Sequence, residues 1–188
     1  MHIDPLMIFS TVFVAELGDK TQLGALAVSM RTRNISLAVI SCLLGLALAT
    51  VISVAIGTTL GGLLDRNILM LVGGAVFILF GILSLVSRND EAHNFSGGVI
   101  SNSLVIFLLE LGDKTQISIV ILSALYGDPF VAFLLAIFAF LVVTLITVVL
   151  GCRAGRHLDE RKTKFLVSAL FVFLGIFLIL SSLSVVSI

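Results

Sequence analysis

The chain has 188 residues, 59% apolar and 12% charged, with a mean hydropathy of +1.25, which excludes a water-soluble globular domain. Lys and Arg number 11, as do Asp and Glu, so a net charge of zero excludes polybasic recognition of nucleic acid or of an anionic membrane surface. Cys42 and Cys152 lie in or beside apolar runs without metal-type spacing, which excludes a disulfide framework and a zinc knuckle; both read as small buried apolar residues.

Six apolar runs reach the roughly 20 residues that a helix needs to cross a bilayer. In chain order they are 5–30, 35–60, 67–87, 99–126, 129–151 and 164–187. The expected fold is an all-α integral membrane protein with six transmembrane helices. The first run has no preceding Lys or Arg and no small-residue cleavage site before a polar domain, so it is expected to remain as a span. The polar breaks between runs are too short to house a soluble domain.

A shift of 94 residues aligns Glu16-Leu17-Gly18-Asp19-Lys20-Thr21-Gln22 with Glu110-Leu111-Gly112-Asp113-Lys114-Thr115-Gln116, identical at every position. The register continues without a gap: Thr50 falls on Thr144, Ser53 on Thr147, Gly57 and Gly61 on Gly151 and Gly155, and Phe77 and Gly81 on Phe171 and Gly175. Apolar composition cannot produce a matched block rich in polar residues and glycine. The expected units are therefore 1–94 and 95–188, each with three spans. Because three is odd, the second unit enters the membrane inverted, a pattern found in secondary transporters with a midplane site. Arg31, Arg33, Arg88, Arg153, Arg156, Arg161, Lys162 and Lys164 follow helices one, three and five, against Arg66 alone on the other side. The positive-inside rule makes the cation-rich side cytoplasmic and puts both termini outside. The glycine pairs have GxxxG spacing, read as close helix packing. The basic run from Arg153 to Lys164 reads as a topology anchor.

Glu16 lies 11 residues after Pro5, which at about 1.5 Å per residue puts it near the bilayer centre. Glu110 is placed comparably. On a regular helix Glu16, Asp19 and Lys20 share one face, as do Glu110, Asp113 and Lys114. Each such group costs about 2.5 to 3.5 kcal/mol at that depth, so function is the default reading. Internal ion pairs, Glu16 with Lys20 and Glu110 with Lys114, are the purely structural alternative. Two acids per base leave the two motifs with a formal charge of minus two, which one divalent cation or two protons would cancel.

The histidines, His2, His93 and His157, lie at a terminus or in loops, and no cysteine or methionine lies within a turn of either motif. The motifs therefore offer oxygen almost exclusively. Carboxylates supplemented by Gln22, Gln116, Thr50 or Thr144 suit manganese, calcium or magnesium, with magnesium third because it clings to its waters. Ligand and backbone-bonded readings of Thr50 and Thr144 stand equal. Gly18 and Gly112 are placed to loosen the helix so that carbonyls face the ion.

Two copies of E-x-G-D-K-T resemble the signature of the cation-exchanger family that includes bacterial manganese exporters of the MneA type and Golgi and chloroplast manganese/calcium transporters. The resemblance covers the whole chain. It implies proton-coupled transport of manganese or calcium, with Glu16, Asp19, Glu110 and Asp113 as metal ligands. Lys20, Thr21, Gln22, Lys114, Thr115, Gln116, Thr50 and Thr144 are the supporting residues. The compact length resembles a prokaryotic member, for which manganese efflux across the cell membrane is the implied role, with the metal ion, protons and the lipid bilayer as partners and no permanent cofactor. Homo-oligomerisation is left open. An intramembrane hydrolase is disfavoured, because no Ser-His or Cys-His pair sits at membrane depth. An organic-cation carrier would be expected to show aromatics flanking the acids, where only Phe13 and Phe107 stand near. A passive channel is separated from an antiporter by flux under a pH gradient.

Overall fold

The computed structural model describes residues 4–17, 19, 34–86, 98–154 and 160–186. Among them are seven α-helices: α1 (Pro5–Glu16), α2 (Ile35–Leu63), α3 (Arg66–Val86), α4 (Val99–Glu110), α5 (Lys114–Tyr126), α6 (Pro129–Ala154) and α7 (Glu160–Val186). The all-helical expectation agrees with this. By length and composition Ile35–Leu63, Arg66–Leu83 and Pro129–Val149 suffice to cross a membrane.

Local chemistry explains the helix ends. The Asp4 carboxylate accepts from Leu6 N–H at 2.9 Å, with Pro5 as the first helical residue, and Asn34 Oδ1 accepts from Leu37 N–H at 3.0 Å. Gly127, at φ +88°, ends α5, and Asp128 then accepts from Phe130 and Val131 N–H to start α6.

The expected spans at 5–30 and 99–126 are not continuous helices. Helix α1 stops at Glu16, and Leu17 turns extended at φ −61°, ψ 112°. Helix α4 stops at the matching residue, Glu110, and Leu111 adopts φ −60°, ψ 114°. Gly112 follows at φ +79°, a conformation that costs a side-chain-bearing residue about 1 to 2 kcal/mol, and Asp113 then opens α5. The reading of Gly112 as the residue that loosens the helix agrees with this break. The reading of each motif as one regular helical face does not. Gly18, Lys20, Thr21 and Gln22 lie outside the described residues, as do Gly155 and the loop cations Arg31, Arg33, Arg88 and Arg156.

The polarity of the molecule is inverted relative to a soluble protein. Leu44, Leu48, Val51, Leu71, Val72, Leu79, Leu134 and Phe138 are exposed, whereas Thr11, Glu16, Ser41, Thr50, Glu110, Thr115, Ser118 and Thr144 are fully buried. An apolar exterior suits lipid, and polar groups in such a solvent are retained inside where they can meet one another.

Helix α2 packs on both α4 and α5, α6 packs on α1 and α2, and α3 runs along α7. Glycines permit the closest approaches. A Cβ on Gly45 would lie 2.6 Å from Ser103 O, one on Gly61 2.5 Å from Ala124 O, and one on Gly57 would strike Val120 O and Ser123. The packing role expected of Gly57 and Gly61 is thus met on the α5 backbone. Between α3 and α7 the contacts exchange. Gly74 abuts Gly175 O, and Ser168 Oγ donates to Gly81 O at 2.6 Å, where 74 matches 168 and 81 matches 175 under the 94-residue shift.

Candidate cation site

Glu16 and Glu110 are the last residues of α1 and α4, so the two interruptions aim equivalent carboxylates inward from the two halves. After each glutamate the chain makes the same tight turn: Asp19 N–H donates to Glu16 O at 3.2 Å and Asp113 N–H to Glu110 O at 3.0 Å. Glu16, Asp19 and Glu110 each offer a carboxylate oxygen within 4.8 Å of those of the other two. Glu16 and Glu110 are fully buried, and Asp19 is 6% exposed.

The helix termini set the electrostatics. Carbonyl groups at a helix C-terminus carry partial negative charge, so Glu16 and Glu110 add their charges where the backbone is already negative. This end of the site calls for a cation. Asp113 has the opposite environment. It is the N-cap of α5, half-buried, and accepts from Thr115 N–H at 3.5 Å at the positive end of that helix. Three of the four expected acidic ligands therefore converge, and the fourth, Asp113, caps α5.

The ion pair at the site crosses between the halves. Lys114 Nζ donates to Asp19 Oδ1 at 2.6 Å, a pairing across the halves that the purely structural alternative, pairs inside each motif, does not include. Asp19 Oδ2 is buried and has no hydrogen-bond partner among the described residues. The same holds for Thr115 Oγ1, Gln116 Nε2 and Thr147 Oγ1.

The remaining supporting residues divide. Gln116 Oε1 accepts from Ser53 Oγ at 2.9 Å, which orients the amide. Thr50 Oγ1 donates to Leu46 O at 2.7 Å, the backbone-bonded arrangement common for hydroxyls in apolar helices. Thr144 Oγ1 lies 3.7 Å from Cys42 Sγ. Sequence reasoning did not single out Ser53 as a partner of Gln116, nor Cys42 as a neighbour of Thr144. The available signal was the shift that matches Ser53 to Thr147, a buried hydroxyl kept in both halves. Cys42 is fully buried, as expected of it.

Chemically, the group offers clustered hard oxygens and no described imidazole, a donor set for a hard or borderline divalent ion.

The divalent cation/proton antiporter GDT1 family matches this chain over residues 5–92 and 98–185, one stretch in each half. A protein of Vibrio cholerae serotype O1 named as a candidate manganese exporter is 33% identical over 126 residues, which are 63% of this chain and 61% of that protein. A chloroplastic GDT1-like protein of Oryza sativa subsp. indica is 35% identical over 78 residues, 42% of this chain and 23% of its own length. A GDT1-like protein of Schizosaccharomyces pombe is 31% identical over 75 residues, 40% of this chain and 28% of its own length. The matches thus span less than two thirds of each of these relatives. No solved structure matches the chain. With both halves matched and the paired acidic motifs intact, the chain belongs to the divalent cation/proton antiporter GDT1 family.

Proposed function

We propose that the chain is a secondary transporter that exports a divalent cation, manganese before calcium, in exchange for protons. The observation that carries this reading is the convergence of Glu16 and Asp19 from one half with Glu110 from the other, buried and within 4.8 Å. A site built jointly by two halves is remade when they rock against each other, which is what alternating access requires. Family membership supports the ion class and the proton coupling. The name of the Vibrio cholerae relative supports manganese and the outward direction.

The proposed architecture is six spans in two inverted repeats, 1–94 and 95–188, in the cell membrane with both termini outside. The first and fourth spans are each interrupted at the acidic motif. The matched backbone turns at Leu17 and Leu111 and the exchanged contacts between α3 and α7 support this arrangement. The ligands are Glu16, Asp19 and Glu110, with Thr115 and Gln116 close in sequence to complete the shell. Asp113 holds the start of α5.

The test is transport by the purified chain in proteoliposomes under an imposed proton gradient, with manganese, calcium, magnesium and zinc run in parallel. Manganese flux that exceeds the others and needs the gradient is the expected result. Zinc flux above manganese, or no gradient-dependent flux of any of the four, overturns the reading.

A further inference from the structure

A glutamine three residues after a helix N-cap ordinarily reaches back to the cap's own backbone N–H. Gln116 has that place behind Asp113, yet Asp113 N–H donates to Glu110 O at 3.0 Å and the glutamine side chain turns away from its own helix end. Its Oε1 accepts from Ser53 Oγ of α2, in the other half, at 2.9 Å. Both residues are buried, and Gln116 Nε2 has no hydrogen-bond partner among the described residues. Buried donors without an acceptor are costly, so this amide is poised for something further. Contacts along α2 fix its level. Helices α2 and α4 run in parallel, since Ser41 O meets Ser103 Oγ and Gly45 abuts Ile106, which precedes Glu110 by four residues. Ser53 lies four residues beyond the level of Glu110, about 6 Å along the axis, within reach of a glutamine side chain and one ion–ligand bond.

We propose, resting on the cation-site reading above, that Ser53 is the positioning residue of an amide switch, holding Gln116 by its carbonyl when the site is empty and by its amide nitrogen when the carbonyl has turned to the ion. A hydroxyl can serve both arrangements, because it is donor and acceptor at once. In the structure Ser53 gives its proton to Oε1, and the amide N–H groups are left over. A half-turn of the amide about its last bond brings Nε2 to Ser53 Oγ, which then accepts. Oε1 is thereby released as a neutral oxygen ligand, of the kind that suits manganese or calcium. The Ser53 proton passes to a carbonyl of its own preceding turn, the usual recourse of a hydroxyl in an apolar helix. Ion binding thus relieves the unpaired donors of the empty state. Thr147, the match of Ser53 under the 94-residue shift, keeps a hydroxyl at the equivalent place.

The experiment is isotope-edited infrared spectroscopy of the full chain in detergent, labelled with glutamine that carries 13C at its side-chain carbonyl. Gln22 and Gln116 are the two glutamines of the chain, so subtracting the spectrum of Gln116→Leu isolates the Gln116 band. Without metal, Ser53→Ala should shift that band, because Oε1 loses its donor. Saturating Mn2+ should move the wild-type band, and Ser53→Ala should then leave it in place, because the carbonyl is on the ion. Ser53→Thr, which keeps the hydroxyl, should match the wild type in both conditions. In calorimetric titration Gln116→Leu should weaken Mn2+ binding by about tenfold or more. A carbonyl band that senses residue 53 equally with and without Mn2+, or a wild-type band that Mn2+ does not move, overturns the proposal. Should Ser53→Ala fail to stay monodisperse, the wild-type band alone decides. A wild-type chain that binds no Mn2+ in the same titration overturns the cation-site reading instead, so the two failures are distinguishable.

Discussion

Phe77 and Phe171 are each other's counterparts under the 94-residue shift, and they meet ring to ring with centroids 5.7 Å apart and planes inclined by 34°. A residue that touches its own counterpart is what a two-fold relation between halves produces, as at an isologous interface. Both rings are fully buried, and Phe80 packs edge-on against Phe171 at 6.0 Å. Helices α3 and α7 thereby join the halves along an apolar seam, apart from the acidic site that α1, α4 and α5 bring together.

That seam can be tested through its glycines. A Cβ on Gly175 would lie 2.6 Å from Gly74 O and equally close to Ile78, so Gly175→Ala should cost about 1 to 3 kcal/mol by overpacking. Gly62, where nothing lies within 4 Å of an added Cβ, is the control, and Gly62→Ala should be neutral or slightly stabilising. Thermal unfolding in detergent separates the two; equal midpoints for both variants would contradict the close approach.

Glu16→Gln and Glu110→Gln should each abolish metal transport while the protein stays folded, since each removes a charge from a buried group of three. Asp19→Asn should do the same and also release Lys114. Asp113→Asn should be milder, because an asparagine still caps a helix and the loss is a few tenths of a kcal/mol. Flux assays on protein of verified monodispersity check the set. Normal rates for both glutamate variants would mean that the cation binds elsewhere.

Orientation follows from the loop cations. Cysteines introduced near Asp65 or at position 188 should react with an impermeant reagent from outside intact cells, and cysteines near Arg88 should not. Cytoplasmic labelling at either of the first two positions would reverse the assigned topology.

Coupling has its own signature. A site at minus two is costly to carry empty through the membrane, so return of the unloaded carrier should require about two protons per divalent ion, an electroneutral exchange. Manganese efflux should then slow as external pH rises and respond little to membrane potential. The check is flux in proteoliposomes with the pH gradient and a valinomycin-set potential varied independently. Flux that follows potential and ignores pH would identify a channel or uniporter.

The sequence by itself determined the solvent, the duplication and the chemistry. Long apolar runs report their surroundings because lipid demands them along the whole span, and an identical block at a constant shift survives any folding. The acids Glu16, Asp19 and Glu110 were legible because ionisable groups in apolar runs are too costly to be incidental. What only the tertiary structure decided is how the two motifs divide the work. A uniform helical period predicts that Asp19 and Asp113 behave alike, but the helix breaks at Leu17 and Leu111, and after a break the direction of a side chain depends on where the next helix packs. Asp113 accepts from Thr115 N–H at the α5 N-terminus, and Asp19 joins the glutamates and meets Lys114 of the other half. Periodicity within one segment carries no information about which half supplies a neighbour, because that choice is made by packing between segments distant in the chain.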